Sequence, residues 1–220
     1  ISDGDRIGLG GRNGEGKSSL LGMLSNRIEP NSGRVTKRNG LRVGVLDQSD
    51  TLDPEATVHF SVVGEMDDHE WAGQARIRDI ISGLVADLDW EAKVGTLSGG
   101  QRRRVALAAL LVQDWDVIIL DEPTNHLDVE GISWLAEHIN NRWSKNSGGL
   151  MVVTHDRWFL DAVCQWTWEV HDGVVDVYEG GYAAFTLARA ERSRVAAAVE
   201  SRRQNLARKE LAWLRRGAPA

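Results

Sequence analysis

Residues 11–18 read Gly-Arg-Asn-Gly-Glu-Gly-Lys-Ser and fit the phosphate-loop pattern G-x-x-x-x-G-K-[ST] at every fixed position. We expect a short strand before the loop at Arg6–Leu9 and a helix after it at Ser18–Ser25. Glycines let the backbone turn around an anion with its N–H groups pointing inward, and the helix N-terminus adds further unpaired N–H groups. The stretch therefore predicts an α/β fold with a phosphate site; the alternative is a Gly-rich turn without a nucleotide.

A second stretch, Val117–Leu120, is an unbroken apolar run that ends in Asp121 and Glu122. Such a run is typical of a parallel strand buried on both faces. Because consecutive side chains on a strand alternate, we expect the two carboxylates to point to opposite faces and to have different roles. Asp121 is the candidate for Mg²⁺, through water, and Glu122 for polarising the water that attacks phosphorus. The alternative is a pair of solvated acids at a strand end.

Leu97–Gln101 reads Leu-Ser-Gly-Gly-Gln and resembles the signature motif of ATP-binding-cassette (ABC) proteins, followed by a segment similar to that family's signature helix at Arg102–Val112. The resemblance covers nearly the whole chain. It implies an α/β P-loop NTPase fold of the ABC nucleotide-binding type, with a helical subdomain and a long C-terminal linker helix. ATP and Mg²⁺ are the implied ligands.

The resemblance also implies roles for individual residues. Catalysis is assigned to Glu122, His155 and Gln48, and Mg²⁺ binding to Ser18, Gln48 and Asp121. In the family, Ser98 and Gly100 contact the γ-phosphate held by another domain, and Asp128 crosses the interface. The residues implied in nucleotide binding are Gly11, Arg12, Asn13, Gly14, Glu15, Gly16, Lys17, Ser18, Ser19, Ser98, Gly99, Gly100, Gln101 and Asp128.

Residues 122–128, Glu-Pro-Thr-Asn-His-Leu-Asp, are similar to the ABC-F branch, and residues 209–217 resemble the start of the linker in its Uup-like members. This implies two partners: a second ABC domain in the same full-length chain, or a second copy of this chain, and a ribosome or RNA. DNA stays open as the alternative target. The ATPase subunit of a membrane transporter is a third reading, which Asn125 and His126 disfavour. Only 48 residues separate Gln48 from Leu97, so any inserted helical arm is short or missing.

The length and composition of the chain limit these functional hypotheses. The chain has 220 residues and a net charge of −6, and its longest apolar run, Val105–Val112, is far shorter than the roughly twenty residues of a membrane helix. Cys164 is the only cysteine, so no internal disulfide is possible, and a cytoplasmic location is expected. Residues 189–220 hold nine basic and three acidic side chains, which leaves −12 on the rest. The basic segment suggests contact with a polyanion or a solvated linker helix. Arg102, Arg103 and Arg104 fit RNA contact and a plain surface equally well.

The order of these patterns predicts two parts. Residues 1–180 form the ABC ATPase domain, with a helical subdomain at about 50–112, and residues 181–220 form a basic helical linker toward a further ATPase domain. We read the chain as a piece of a longer protein, because the strands that carry an adenine-stacking residue in relatives do not precede Ile1. The predicted helices are Ala75–Leu88, Val129–Trp143 and Ala183–Arg216, and a strand at Leu150–Thr154 and a hairpin of Trp166–Val170 and Val174–Tyr178 complete the expected elements.

Overall fold

The computed structural model describes residues 1–12, 14–49 and 51–215. Within them, one six-stranded sheet has the order β2-β3-β4-β1-β5-β6. The first five strands in that order run parallel, and β6 pairs antiparallel with β5. The strands are β1 (Arg6–Gly10), β2 (Val43–Leu46), β3 (Val117–Asp121), β4 (Gly149–Val153), β5 (Trp166–His171) and β6 (Val174–Glu179).

Helices connect these strands and cover the sheet. They are α1 (Lys17–Leu24), α2 (Val58–Val63), α3 (Asp68–Gly73), α4 (Ala75–Leu84), α5 (Gly99–Val112), α6 (Val129–Asn141), α7 (Arg157–Val163) and α8 (Tyr182–Arg215), with a short 3-10 turn at Val94–Thr96. Helices α2 to α5 fall between β2 and β3, in the segment where a helical subdomain was predicted. Helix α8, at 1.5 Å per residue, is about 50 Å long.

The core has two layers, one on each face of the sheet, because the buried strands alternate their side chains. Ile118 and Leu120 pack with the helices on one face, whereas Ile119 packs with Ile7 and Leu21 on the other. On β1, Gly8 leaves room for α7: a Cβ there would lie 2.9 Å from Leu160 Cδ2. The strand ends are therefore fixed by packing on both sides, which holds the loops that follow them.

The strands predicted from the sequence all form, with ends within one residue of those expected, whereas β2 was not predicted and the helices differ more at their ends. Helix α4 stops at Leu84, four residues before the predicted Leu88, because Val85 leaves the helical region at φ −133°. Helix α5 begins at Gly99, three residues before the predicted Arg102, because Ser98 and Gln101 form a capping box. The short helices α2, α3 and α7 were not predicted. The sequence expected the last helix to reach Arg216, which lies outside the described residues.

Candidate functional site

The carboxyl ends of four neighbouring strands meet at one edge of the sheet. The phosphate loop follows β1, Gln48 follows β2, Asp121 ends β3, and His155 follows β4. Open parallel sheets place ligands at this edge. The strands thus enclose a cavity of about 400 Å³, called here the phosphate cavity, whose lining residues are Gly14, Gly16, Lys17, Ser18, Ser19, Leu21, Gln48, Asp121, Glu122, Val153 and His155.

The phosphate loop relies on glycines with backbone angles that other residues rarely adopt. Gly11 has φ 133°, and a Cβ there would lie 2.4 Å from the carbonyl oxygen of Val170. Gly16 caps α1 in the left-handed region and has no side chain with which to accept from the first N–H groups of that helix. These donors and the positive end of the helix suit phosphate oxygens. Asn13, the remaining predicted loop residue, lies outside the described residues.

Lys17 and Glu15 bind to the loop itself. Lys17 Nζ donates to the carbonyl oxygens of Gly11 and Arg12, at 2.7 and 2.8 Å. The Glu15 carboxylate accepts from the Arg12 N–H at 2.7 Å. Gly11, Arg12 and Glu15 line the neighbouring cavity, which opens between the loop, the β5–β6 hairpin and α8, while Lys17 lines both cavities. These two hydrogen bonds to the backbone of the loop hold the Lys17 ammonium group beside the phosphate cavity.

Asp121 and Glu122 both line the phosphate cavity, so the prediction that they point to opposite faces is wrong. Alternation along the strand ends at Asp121, because Glu122 adopts a left-handed backbone with φ 50°. Its N–H donates to the carbonyl oxygen of Val153 at 2.7 Å, which ties this turn to the end of β4. Two carboxylates therefore face one site, and the site is not a pair of solvated strand-end acids.

The neighbourhood of Asp121 raises the pKa of its carboxyl. Burial is the main cause and the charge of Glu122 adds to it, while Arg103 and a hydrogen bond from Gln48 act in the opposite direction. Gln48 is thus in contact with the carboxylate beside which it was predicted to bind Mg²⁺. Mg²⁺ usually keeps several waters and binds one or two carboxylates together with the phosphate oxygens of a substrate. The oxygen ligands available here suit it: the Ser18 hydroxyl, the Gln48 amide and the Asp121 carboxylate. Among the described residues, no three His, Cys, Asp or Glu side chains cluster as metal ligands.

Glu122 also contacts His155. Their Nε2 and Oε1 atoms are 3.3 Å apart, and the His155 N–H donates to the other carboxylate oxygen at 3.4 Å. The Glu122 side chain is largely buried, whereas the His155 side chain is 82% exposed. Behind them, the Thr124 and Thr154 hydroxyls share a buried hydrogen bond of 2.8 Å. The two loops are held together by these contacts. The threonine pair was not predicted; Thr154 directly follows β4, whereas Thr124 lies three residues beyond the end of β3.

The signature turn, defined as residues 98–101, does not line the phosphate cavity. The Ser98 hydroxyl accepts from the Gln101 N–H at 3.2 Å, and the Gln101 side chain accepts from the Ser98 N–H at 2.9 Å. Gly100 packs against the His126 ring, whereas Gly99 has open space at its Cβ position. Gly99 lines an adjoining groove that also contains Gln48 and Glu122. Asp128 caps α6 by accepting from the Gly131 N–H at 2.8 Å.

The arginines after the signature turn have partners within the chain. Arg103 is buried and donates to the carbonyl oxygens of Asp47 and Asp121. Arg104 donates to Leu84 O at 2.9 Å and to the Asp87 carboxylate at 2.6 and 2.8 Å. Arg103 is therefore not part of a plain surface, because it is buried, whereas RNA contact by Arg104, which is partly exposed and paired with Asp87, stays a prediction.

Known proteins are similar to this chain in sequence and in fold. The family model for the ABC transporter matches residues 1–125, more than half of the chain. The chain belongs to this family. Among curated relatives of this ABC domain, the ABC transporter ATP-binding protein YfmR of Bacillus subtilis, described as uncharacterized, is 37% identical across 100% of the chain and 40% of its own length. The energy-dependent translational throttle protein EttA of Mycobacterium tuberculosis is 34% identical across 99% of the chain and 45% of its own length.

These relatives confirm the resemblance to ABC-F proteins, and the chain spans less than half of their length. Among solved structures, the archaeal ribosome recycling factor aABCE1 in complex with a ribosomal stalk protein superposes with a TM-score of 0.73 at 29% identity, over 87% of the ABC domain and 37% of that chain. An ATP-binding subunit of an ABC transporter gives a TM-score of 0.71 at 19% identity over 81% of the domain and 80% of that chain. The α/β ABC fold predicted from the sequence is confirmed.

Proposed function

We propose that this chain binds and hydrolyses ATP as one nucleotide-binding domain of an ABC-F protein that acts on the ribosome in the cytoplasm. The observation that carries the proposal is the phosphate cavity, into which four strand ends bring a phosphate loop, a glutamine, two carboxylates and a histidine. Phosphoryl transfer depends mainly on positioning and charge neutralisation, which such a set supplies.

In this proposal, the phosphate loop, with Lys17, Ser18 and Ser19, holds the triphosphate of ATP, and Ser18, Gln48 and Asp121 hold Mg²⁺. The bound cation neutralises charge on the phosphate oxygens. Glu122 orients and polarises the attacking water, and His155 completes the contact to the phosphate end. The left-handed turn supports this assignment, since it places the Glu122 carboxylate in the same cavity as Asp121 rather than on the opposite face.

The site is proposed to be completed by the signature turn of a second ABC domain. Ser98 supports this, because its oxygen accepts from Gln101 while its proton stays available to an external phosphate oxygen. Gly99 also supports contact with a second domain, because its Cβ position is open.

Residues 1–180 are then the ATPase domain, with a helical subdomain at about 50–112, and residues 181–220 are the linker. Asp128, Gly100 and Gln101 belong to the surface offered to the partner.

The ribosome is proposed as the target because relatives and structural neighbours carry names that refer to translation and ribosome recycling. Helix α8 adds a physical argument, since it projects exposed basic side chains, including Arg202, Arg203 and Arg208. DNA, the alternative from the sequence, gains no support from those names. No described helix is both long and apolar enough to cross a bilayer.

The test uses the full-length protein with Glu122→Gln, which is expected to bind ATP and close but to hydrolyse it poorly. Lysate is sedimented through a sucrose cushion with ATP or with ADP. Co-sedimentation with ribosomes that depends on ATP and is abolished by ribonuclease is the expected result. Equal sedimentation with ATP and ADP, or none with either, contradicts ribosomal action, and DNA-junction binding becomes the next assay. Glu130→Gln, an exposed carboxylate on α6, is the matched control and should behave as the unmodified protein.

A second test concerns the composite site. The 220-residue chain alone is expected to bind ATP weakly and to turn it over very slowly, because it contains one phosphate loop and one signature turn. Turnover of several molecules per second by the strictly monomeric chain would contradict the need for a second domain. Sedimentation velocity at the assay concentration establishes whether the chain is monomeric.

A further inference from the structure

Arg103 lies in an unusual place for a charged side chain. It is the fifth residue of α5, and only 8% of it is exposed. Its guanidinium donates through Nη1 to the carbonyl oxygen of Asp47 and through Nη2 to the carbonyl oxygen of Asp121. Burial of a charge costs free energy unless hydrogen bonds offset it. Two backbone carbonyls from two different strand ends serve that purpose here.

The two carbonyls belong to the backbone that carries the proposed Mg²⁺ ligands. Asp47 directly precedes Gln48 at the end of β2, and Asp121 ends β3. The strands are neighbours, with Leu46 paired to Leu120. Since Asp47 and Asp121 lie just beyond that pair, one planar guanidinium spans the last rung of the β2–β3 ladder. The fork geometry of arginine allows this bridge, which the single ammonium group of a lysine cannot reproduce with the same spacing.

Arg103 belongs to α5, the helix that carries the signature turn. Arg103 is two residues after Gln101 on α5, so a rigid-body shift of α5 moves the guanidinium with it. Arg103 thus gives α5 a charged contact to both strand ends, whereas Arg104 reaches the opposite way, to Leu84 at the end of α4 and to Asp87. The signature turn and the proposed Mg²⁺ ligands are therefore linked through a buried side chain.

We propose that Arg103 is a positioning residue that fixes the spacing of Gln48 and Asp121 and couples that spacing to the position of the signature helix. The inference rests on the proposed function, because it concerns the Mg²⁺-dependent part of ATP binding. In this proposal Arg103 is not itself a ligand of the nucleotide or the metal. It acts mainly through the two backbones, in the manner of residues that orient metal ligands from behind, and its charge also lowers the pKa of Asp121.

The test compares Arg103→Gln with Arg104→Gln in the 220-residue chain. Each variant removes one guanidinium from α5, but only the first removes the bridge. ATP affinity is measured with excess Mg²⁺ and with EDTA, and the ratio of the two affinities is the readout. Arg103→Gln is expected to lower the affinity with Mg²⁺ by about 10- to 100-fold, as for other residues that orient metal ligands, and to leave the affinity in EDTA unchanged. Arg104→Gln should leave the ratio unchanged.

Hydrogen exchange of the nucleotide-free chain is the second measurement and does not depend on ATP binding. Arg103→Gln should accelerate exchange in peptides that cover residues 44–49 and 119–123, whereas Arg104→Gln should accelerate exchange around residues 84–88. Arg103→Lys keeps the charge in the core, so it serves where the glutamine variant does not fold, and it should show the same exchange pattern. Equal ratios for the two glutamine variants, or matching exchange patterns, would overturn the inference.

Failure of the proposed function is distinguishable from failure of this inference. If the unmodified chain binds no ATP with or without Mg²⁺, the nucleotide proposal fails, and the exchange experiment then decides alone whether Arg103 fixes the two strand ends. If the unmodified chain binds Mg²⁺ and ATP but Arg103→Gln leaves the Mg²⁺ dependence intact, the function stands and the positioning role of Arg103 is wrong.

Discussion

The phosphate cavity and the signature turn are built in opposite ways. The phosphate cavity collects side chains from the ends of four strands, and buried contacts fix their relative positions. The signature turn satisfies its polar groups locally, through the capping box of Ser98 and Gln101, and leaves Gly99 open. One region is assembled by the tertiary fold of this chain, and the other is a locally capped turn whose Ser98 hydroxyl proton can still bind an external acceptor. The two regions should therefore respond differently to mutation, since only the first needs contacts between distant parts of the chain.

The largest expected effect is on turnover when the cavity loses its water-polarising carboxylate. In the full-length protein, Glu122→Gln should reduce the rate of ATP hydrolysis by about 10²- to 10⁴-fold, the usual contribution of a general base. ATP affinity should stay unchanged, because the phosphate loop does not depend on this side chain. Steady-state phosphate release and equilibrium nucleotide binding measure the two quantities. Turnover within about twofold of the unmodified protein would exclude Glu122 from the role and leave His155 as the candidate.

A glycine from each region tests which region depends on the fold. Gly11→Ala should lower the free energy of unfolding by about 1–3 kcal/mol, because an L side chain is strained at this backbone angle and the new Cβ collides with Val170 O. Gly99→Ala should be neutral or stabilising by up to about 1 kcal/mol, because it gains helix propensity in open space. Urea unfolding of the 220-residue chain measures both. Equal losses would mean that the signature turn is as tightly constrained as the phosphate loop.

Sequence patterns predicted most of this architecture, because hydrophobic periodicity indicates strands and helices and because glycines mark positions where the backbone must turn tightly. The apolar run before Asp121 specified a buried strand, and the glycines at 11, 14 and 16 specified a tight loop. Periodicity could not show that Glu122 turns into the cavity, because alternation along a strand holds only while the strand continues. Nor could periodicity show that Arg103 is buried. A run of three arginines is typical of an exposed surface, and only the folded structure brings two carbonyl oxygens within reach of the Arg103 guanidinium.

The start of α5 shows a different kind of error. Ser98 and Gln101 are a capping pair by spacing alone, so the helix start at Gly99 was available from the sequence. The same residues also resemble the signature motif, which by itself says nothing about a helix cap. In the proposal both roles fall on Ser98, because the N-cap hydroxyl that begins α5 is also the one that contacts the partner domain.

A pair of helix caps separates those two roles. Ser98→Ala and Thr57→Ala each remove an N-cap hydroxyl, the first from α5 and the second from α2, where Thr57 accepts from the Phe60 N–H at 3.1 Å. Each should cost about 1 kcal/mol of stability. Only Ser98→Ala should also reduce ATP turnover of the full-length protein, because only that hydroxyl faces a partner domain in the proposal. An equal fall in turnover for Thr57→Ala would show that helix stability alone accounts for the effect.

The smallest expected effects concern two histidines whose pKa values shift in opposite directions, His171 at the end of β5 and His138 on α6. Beside the phosphate loop, hydrogen bonds to Asp176 and then Asp172 raise the pKa of His171. On α6, burial and the charge of Arg142 lower the pKa of His138, against the opposing effect of Asp79. These shifts predict opposite responses to pH for the surroundings of the two imidazoles.

For His171, the raised folded-state pKa means that its stabilising contribution is fully present below the unfolded value of about 6.5 and is lost as pH rises through the folded value. For His138, the lowered pKa means that its contribution is present above about 6.5 and is lost as pH falls through the folded value. Exchange in the β5–β6 hairpin should therefore accelerate on the alkaline side, beyond the intrinsic increase, and exchange in α4 and α6 on the acidic side. NMR titration of both imidazoles checks the assignment: Asp176→Asn should lower the pKa of His171 and leave that of His138 unchanged. Two titrations that coincide near 6.5 would show that the local surroundings do not shift the pKa values of these two imidazoles in opposite directions.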